Sequence, residues 1–371
     1  MSRAIILCFS CEPGGAEVLI PVIRLLHADR AYRVIVLSYG LGATRFAGKG
    51  IECIEIGPVA KDDLYLIEQY RPDLIISSAT SLPERDMSEK HLWHNARRQG
   101  VPTLAFIDQW QNYAPRFSGA TPQERLAYLP DYINCIDDLG EAEMLREGFQ
   151  PHLLTKFGHP YLSGLEKSSA AVDAARIKAD LGFLPGQNVP LFVSEAIREH
   201  YGRDRGYDQY DAFRLFLELC LADGDTAVLV KVHPKDCVSG YQRVAAGYGT
   251  LKASFVSDAL SPAESLAVAD RVYGMTSIML IEAYVLGKPV VSIQPGLLIE
   301  DPLMLSRHGL IERIETLGGK RGEFVPLEAA HFSYGFDAAR FLAFLKELLD
   351  LPADGRVAAG NGSYAGVAAG N

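Results

Sequence analysis

Residues 271–296, RVYGMTSIMLIEAYVLGKPVVSIQPG, decide how the rest of the chain is read. An apolar run leads into Gly-Met-Thr-Ser, then an amphipathic stretch, then Gly-Lys-Pro and a second apolar run. That order predicts strand, helix, strand. Thr276 and Ser277 fall where the helix begins. A helix start offers unpaired N–H groups and partial positive charge, which suits a phosphate. Glu282 lies one and a half turns further in, at the right depth to accept hydrogen bonds from a ribose. Two readings follow: a seat for a nucleotide mono- or diphosphate, or a plain βαβ unit with a Thr or Ser cap.

The surrounding C-terminal half repeats the pattern. Apolar runs at 189–193, 227–232, 252–255 and 290–293 alternate with helical spacing at 210–222, 241–246 and 261–269. Short apolar runs without alternation fit strands covered on both faces of a parallel sheet. Ligands of such sheets gather beyond the carboxyl ends of the strands. Ser194 and Glu195, His233, Thr276 and Ser277, and Gln294 all follow strands, so they converge on one rim.

The N-terminal half is a second such series. Its strands are predicted at 4–9, 33–37, 53–56, 74–77, 103–107, 132–136 and 153–157, with helices at 16–27, 62–70, 88–98 and 141–148. Gly14 and Gly15 in SCEPGGA (10–16) let the backbone approach a ligand closely. Glu12 stands just before them. Asp108 opens DQWQNYAPRF after the fifth strand, and Trp110 and Arg116 there suit a sugar or acceptor loop. A domain boundary is placed at Gly158-His159-Pro160. The expected division is 1–160, an acceptor-side domain, and 161–336, a nucleotide-sugar domain. A helix at 337–350 crosses both, and a Gly/Ala/Asn-rich tail at 351–371 is disordered.

Composition narrows the partners. The chain has 371 residues, 48% apolar and 22% charged, with a net charge of −10. The negative balance argues against nucleic acid as a partner. No apolar run is long enough to span a membrane, leaving only peripheral contact. The start, MSRAIILCF, reads as a buried strand rather than a signal peptide, so the expected location is cytoplasmic. Six cysteines in this length form no disulfide framework. Cys8 and Cys11 lack the second pair that zinc needs, and His91 and His94 lack further ligands, so no metal is expected. Asp223-Gly224-Asp225 precedes a strand and reads as a turn.

With these residues in place, the chain resembles a GT-B glycosyltransferase over residues 3–350. GT-B folds are α/β: two doubly wound Rossmann-like domains facing a cleft. Gly158-His159-Pro160 is similar to the junction of lipid-linked sugar transferases, and 274–283 to their donor loop, in which the Glu matching Glu282 binds ribose. His233-Pro234 with Thr276-Ser277 is similar to the paired motifs of bacterial capsule-type enzymes: sialyl-, Kdo- and glycerophosphotransferases. That resemblance implies a metal-free, cofactor-free transfer of a sugar from a nucleotide donor to a glycan, lipid or small acceptor. His233, as an imidazolium, would assist the leaving nucleotide, and Thr276 and Ser277 would hold its phosphate. Related enzymes place a catalytic His or Asp where Ala16 stands, so the base must come from elsewhere, with Asp108 and Glu12 the leading candidates and Glu17 behind them. Two alternatives share the fold. One is a non-hydrolysing nucleotide-sugar 2-epimerase, whose Gly-Thr-Arg-Pro-Glu loop is echoed only in part by Ser10-Cys11-Glu12-Pro13. The other is a nucleotide-sugar-binding protein without catalysis.

Overall fold

A computed structural model describes residues 3–166, 172–318 and 332–350. The expected tail at 351–371 lies outside the described residues. The chain separates into two compact units. The first gathers residues 3–108, 112–161 and 333–350, and the second residues 109–111 with 162–332.

The apolar runs form strands because each can bury both faces. In β1 (Ala4–Ser10), Ile6 and Cys8 enter one core, while Leu7 and Phe9 enter another on the opposite face. The first unit continues with β2 (Tyr32–Ser38), β3 (Ile54–Glu55), β4 (Leu74–Ser77), β5 (Thr103–Phe106), β6 (Tyr132–Asn134) and β7 (Leu154–Thr155). These make one parallel sheet in the order β3-β2-β1-β4-β5-β6-β7. The second unit holds β8 (Pro190–Val193), β9 (Ala227–Lys231), β10 (Lys252–Val256), β11 (Arg271–Gly274), β12 (Val290–Ile293) and β13 (Glu312–Ile314). Its order is β10-β9-β8-β11-β12-β13, also parallel. Both units are thus doubly wound Rossmann-like α/β sheets, as expected.

Strand order reverses once in each sheet. In the first, β1 pairs with β2 on one side and β4 on the other. In the second, β8 pairs with β9 and β11. Loops leaving the two strands at such a point part to opposite faces and open a crevice, where ligands of open α/β sheets bind.

Several elements were not anticipated, among them short helices at Tyr113–Arg116 and Ala174–Asp180. The stretch GLGATRFAG, to which the sequence reading assigned no element, forms the helix Gly40–Gly48, anchored by fully buried Phe46. Ile197–Tyr201 is a short helix, and β13 closes the second sheet. The helix expected to cross both domains, Ala338–Asp350, places Phe341, Leu345 and Leu348 in the first unit's core. The Phe341 ring meets Phe106, Phe157 and Phe336. Gly158, at φ +87°, lets the chain pass against the 335 carbonyl; a Cβ there would stand 1.8 Å from it. Phe341→Ala leaves a hole in this aromatic cluster and should cost about 3–5 kcal/mol. The midpoint of urea unfolding, followed by circular dichroism, measures it.

Candidate functional site

The crevice of the second unit lies between the loops after β8 and β11, where Glu195 and Thr276 were expected to face a ligand. They face each other instead. Thr276 donates its backbone N–H and, at 2.7 Å, its hydroxyl to the Glu195 carboxylate. Arg205 Nη1 donates to Thr276 Oγ1 at 3.1 Å, its guanidinium 3.9 Å over the Tyr201 ring. Ser277 caps the helix Ile278–Val285 by accepting from Met279 N. The anion seat at this helix start is therefore held by a carboxylate of the chain itself. Burial raises the Glu195 pKa, against hydrogen bonds from Thr276 and the charge of Arg205, which lower it.

His233 sits after β9. Its N–H donates to Ser194 Oγ at 2.8 Å, and its Nδ1 accepts from Lys235 N at 3.1 Å. Nδ1 being an acceptor, the ring proton rests on Nε2. Burial and then the charge of Lys235 lower its pKa, so the ring is neutral near pH 7. This corrects the expectation of an imidazolium: His233 offers a neutral N–H. Ser194 also donates to Asp236 at 3.3 Å, and Asp236 accepts from Tyr241 at 2.6 Å. His233, Ser194 and Asp236 thus form one fixed group.

Other expected site residues are used internally. Gln294 is 0% exposed; its amide donates to Ser292 and Asp301 and accepts from Tyr207. Trp110 is buried with its ring on Phe332, 5.4 Å between centroids, so it offers no open face for a sugar. Glu282 is buried within its helix. The helical depth that suggested a ribose contact also carries it into the packed layer.

In the first unit the corresponding crevice lies between the loops after β1 and β4. Gly15 closes it from above: a Cβ there would stand 2.3 Å from Ser78 Oγ and 2.7 Å from Ser10 Oγ. Gly14 serves Asp108 in the same way, a Cβ standing 2.5 Å from Asp108 Oδ2. These glycines admit the chain's own side chains to the helix start, where a ligand was expected. Asp108 pairs with Arg116 at 2.7 Å, and its side chain keeps 20% exposure. Arg116 also donates to Ala79 O at 2.6 Å. His159 of the Gly-His-Pro turn reaches Asp108 O at 3.1 Å, which fixes the base of this loop. Glu12 precedes the helix Pro13–Ala28, half-buried.

Beneath this rim lie two residues that sequence reasoning missed. Glu89 and Lys90, in the first turn of the helix Ser88–Arg98, are both 0% exposed. Glu89 accepts from Ser78 Oγ and Thr80 N. Lys90 donates to Thr80 O at 2.9 Å. Burial pushes the Glu89 carboxyl up to about 7, against Ser78, Lys90 and Thr80. Burial likewise pulls Lys90 down to about 8. Arg205 was also missed; its signal is YGRDRGYD (201–208), whose Gly206, at φ +93°, lies against the 296 carbonyl.

Cys8 and Cys11 are buried free thiols, Cys8 pushed up by burial to about 12. His91 binds Val59 O and His94 binds Asp62, so they do not act together. Among the described residues no group of three or more His, Cys, Asp or Glu is placed to hold a metal. Nor is any helix there long and apolar enough to cross a membrane.

No protein-family model and no curated protein matches the sequence. Solved structures do match the fold. A UDP-GlcNAc 2-epimerase from Neisseria meningitidis, bound to UDP-GlcNAc, aligns at TM-score 0.65 and 13% identity, covering 93% of this chain and 100% of that one. A proposed UDP-N-acetylglucosamine 2-epimerase from Listeria monocytogenes aligns at 0.66 and 15%, covering 94% and 97%. The Methanocaldococcus jannaschii UDP-GlcNAc 2-epimerase, in complex with UDP-GlcNAc and UDP, aligns at 0.60 and 11%, covering 93% and 100%. The fold is therefore GT-B-like. The glycosyltransferase expectation is corrected by these likenesses: the matched structures are epimerases, and neither capsule-type transfer nor an acceptor finds support in them.

The Glu89 shift has a measurable consequence. The folded chain keeps a proton on Glu89 that the unfolded chain releases above about 4.5. The resulting stability is full below that pH and is lost as pH rises to about 7. The stability of the wild type relative to Glu89→Gln should fall over that interval by on the order of 3 kcal/mol. Urea unfolding of both proteins across the range measures the difference.

Proposed function

We propose that the chain is a nucleotide-sugar 2-epimerase acting on a UDP-sugar. The observation that carries this reading is Asp108: a partly exposed carboxylate at the open end of β5, paired with Arg116 and set against Gly14. The likeness of the fold to UDP-GlcNAc 2-epimerases, over more than nine-tenths of each chain, supports it.

Inversion at C2 breaks the C2–H bond as the C1–O bond to the nucleotide breaks, the C2–H electron pair becoming a C1–C2 double bond; re-addition of the nucleotide at C1 and of a proton at C2 from the opposite face restores both bonds. Nothing is consumed, and no acceptor, redox partner or metal enters the scheme. One group must take a proton and one must give it. We assign Asp108 as base and Glu12 as the second proton-handling group. Arg116 holds Asp108 in place. His233, neutral and fixed by Ser194 and Lys235, donates from Nε2 to a phosphate oxygen. Thr276, Ser277 and Arg205 form the phosphate end, and Glu195 guards it by occupying the donors until the nucleotide arrives. Such an enzyme works where nucleotide sugars are made, in the cytoplasm.

Incubation with UDP-GlcNAc in deuterium oxide tests the reading. Deuterium should enter C2 and the C2 epimer should appear by NMR; a substrate recovered without either change overturns it. Asp108→Asn and His233→Ala should each lower the rate about 10²–10⁴-fold.

Glu195 makes a separate prediction. Glu195→Gln removes a negative charge beside the diphosphate while keeping an acceptor for Thr276. UDP should bind it about three- to tenfold more tightly than the wild type, as read by calorimetry, since relieving like-charge repulsion in a partly buried site is worth about a kilocalorie per mole.

A further inference from the structure

The short loop after β4 is clamped by charged side chains. Glu89 takes Ser78 Oγ and Thr80 N, Arg116 takes Ala79 O, and Lys90 takes Thr80 O. Glu89 and Lys90 are fully buried, so neither can touch a substrate. A role for Glu89 must pass through its neighbours.

Its neighbours form a chain of hydroxyls. Ser78 Oγ lies 2.7 Å from Ser10 Oγ, and Ser10 Oγ lies 3.2 Å from Glu12 O. Each hydroxyl has one proton to donate. With a proton on Glu89, the acid donates to Ser78, Ser78 donates to Ser10, and Ser10 donates to the Glu12 carbonyl. With Glu89 ionised, Ser78 donates to the carboxylate and Ser10 donates to Ser78. The Glu12 carbonyl then loses its hydroxyl donor and keeps Ala16 N, at 3.0 Å. One proton therefore reverses two hydroxyls and makes or breaks a bond at the start of the helix Pro13–Ala28. Gly14 and Gly15 form that first turn, one against Asp108 and the other against Ser78.

We propose that Glu89 is a positioning residue that sets, through Ser78 and Ser10, the hydrogen bonding of the Glu12–Gly15 turn and with it the seat of Asp108. The inference rests on the epimerase reading only for its kinetic consequence.

The groups that face Glu89 come from each surrounding element. Lys90 and Asp86 flank it, Asp86 being tied to Tyr39. Arg116 lies beyond Lys90, and Cys11 follows β1. The hydrogen bonds from Ser78 and Thr80 and the charge of Lys90 favour the carboxylate, and burial and Asp86 oppose it. The balance falls at about 7, so both hydroxyl arrangements are populated near neutral pH.

Amide hydrogen exchange of the full-length protein tests this. The wild-type amide of Ala16, which donates to the Glu12 carbonyl, corrected for its intrinsic rate, should lose about three- to tenfold protection as pH rises from about 6 to about 8, the worth of one hydrogen bond. In Glu89→Gln the side-chain amide donates to Ser78 as the protonated acid does, so the step should vanish with protection high. In Ser78→Ala the relay is cut with Glu89 retained, and the step should vanish as well. Absence of the step in the wild type, or its persistence in either variant, overturns the proposal. In the kinetic arm, the rise or fall of kcat with pH through the same interval should flatten in Glu89→Gln with KM unchanged. If the wild type epimerises UDP-GlcNAc at no pH, the functional reading fails, while the exchange result still decides the role of Glu89.

Discussion

A glutamate carboxylate set into the crevice where strand order reverses is the interaction on which each unit's rim depends. Parallel sheets open at that point because the loops leave toward opposite faces. The parted loops carry backbone N–H groups that secondary structure does not satisfy, and burying them unpaired is costly. In the first unit Glu89 takes Thr80 N; in the second Glu195 takes Thr276 N. Each carboxylate also takes a hydroxyl, from Ser78 and Thr276. Burial opposes the charge of both carboxyls, and the bonds they accept restore part of it.

The two units use the same device to different ends. Glu89 comes from the helix that follows its own loop, eleven positions beyond Ser78, and lies out of solvent. It locks a platform. Glu195 comes from the neighbouring strand, eighty-one positions from Thr276, and is only partly buried. It bridges two loops and occupies donors that an anion would also want. One carboxylate is structural support beneath a rim, and the other stands in the rim itself.

The strands were legible because their job is simple: AIILCFS and AVLVK bury both faces, and no other element does so in so few residues. The rule that sites lie at strand ends put Ser194, Glu195, His233 and Thr276 on one rim, and the structure ties Glu195 to Thr276 and Ser194 to His233 there. It fixes an edge without fixing exposure, which is why Gln294 and Trp110 lie at that edge yet are enclosed. Glu89 and Lys90 were illegible for another reason. An acid in a helix's first turn reads as a solvated residue answering the dipole, and only the fold reveals that this turn faces inward. His-Pro and Thr-Ser suggested a transferase because such residues suit a phosphate, and suiting a phosphate does not by itself name a reaction. The helix Gly40–Gly48 was hidden by its three glycines.

The helix Ala338–Asp350 has a consequence for the order in which the protein can assemble. During synthesis the first unit's strands emerge first, yet Phe341, Leu345 and Leu348 complete the core on one face of its sheet. Until the chain's last described helix leaves the ribosome, that face presents Phe106 and Phe157 without their aromatic partner. The second unit's strands, all between Pro190 and Ile314, are by then already available to pair. The unit that begins the chain is thus the one that finishes folding, and the nascent protein carries an open apolar face for as long as the second unit takes to be made.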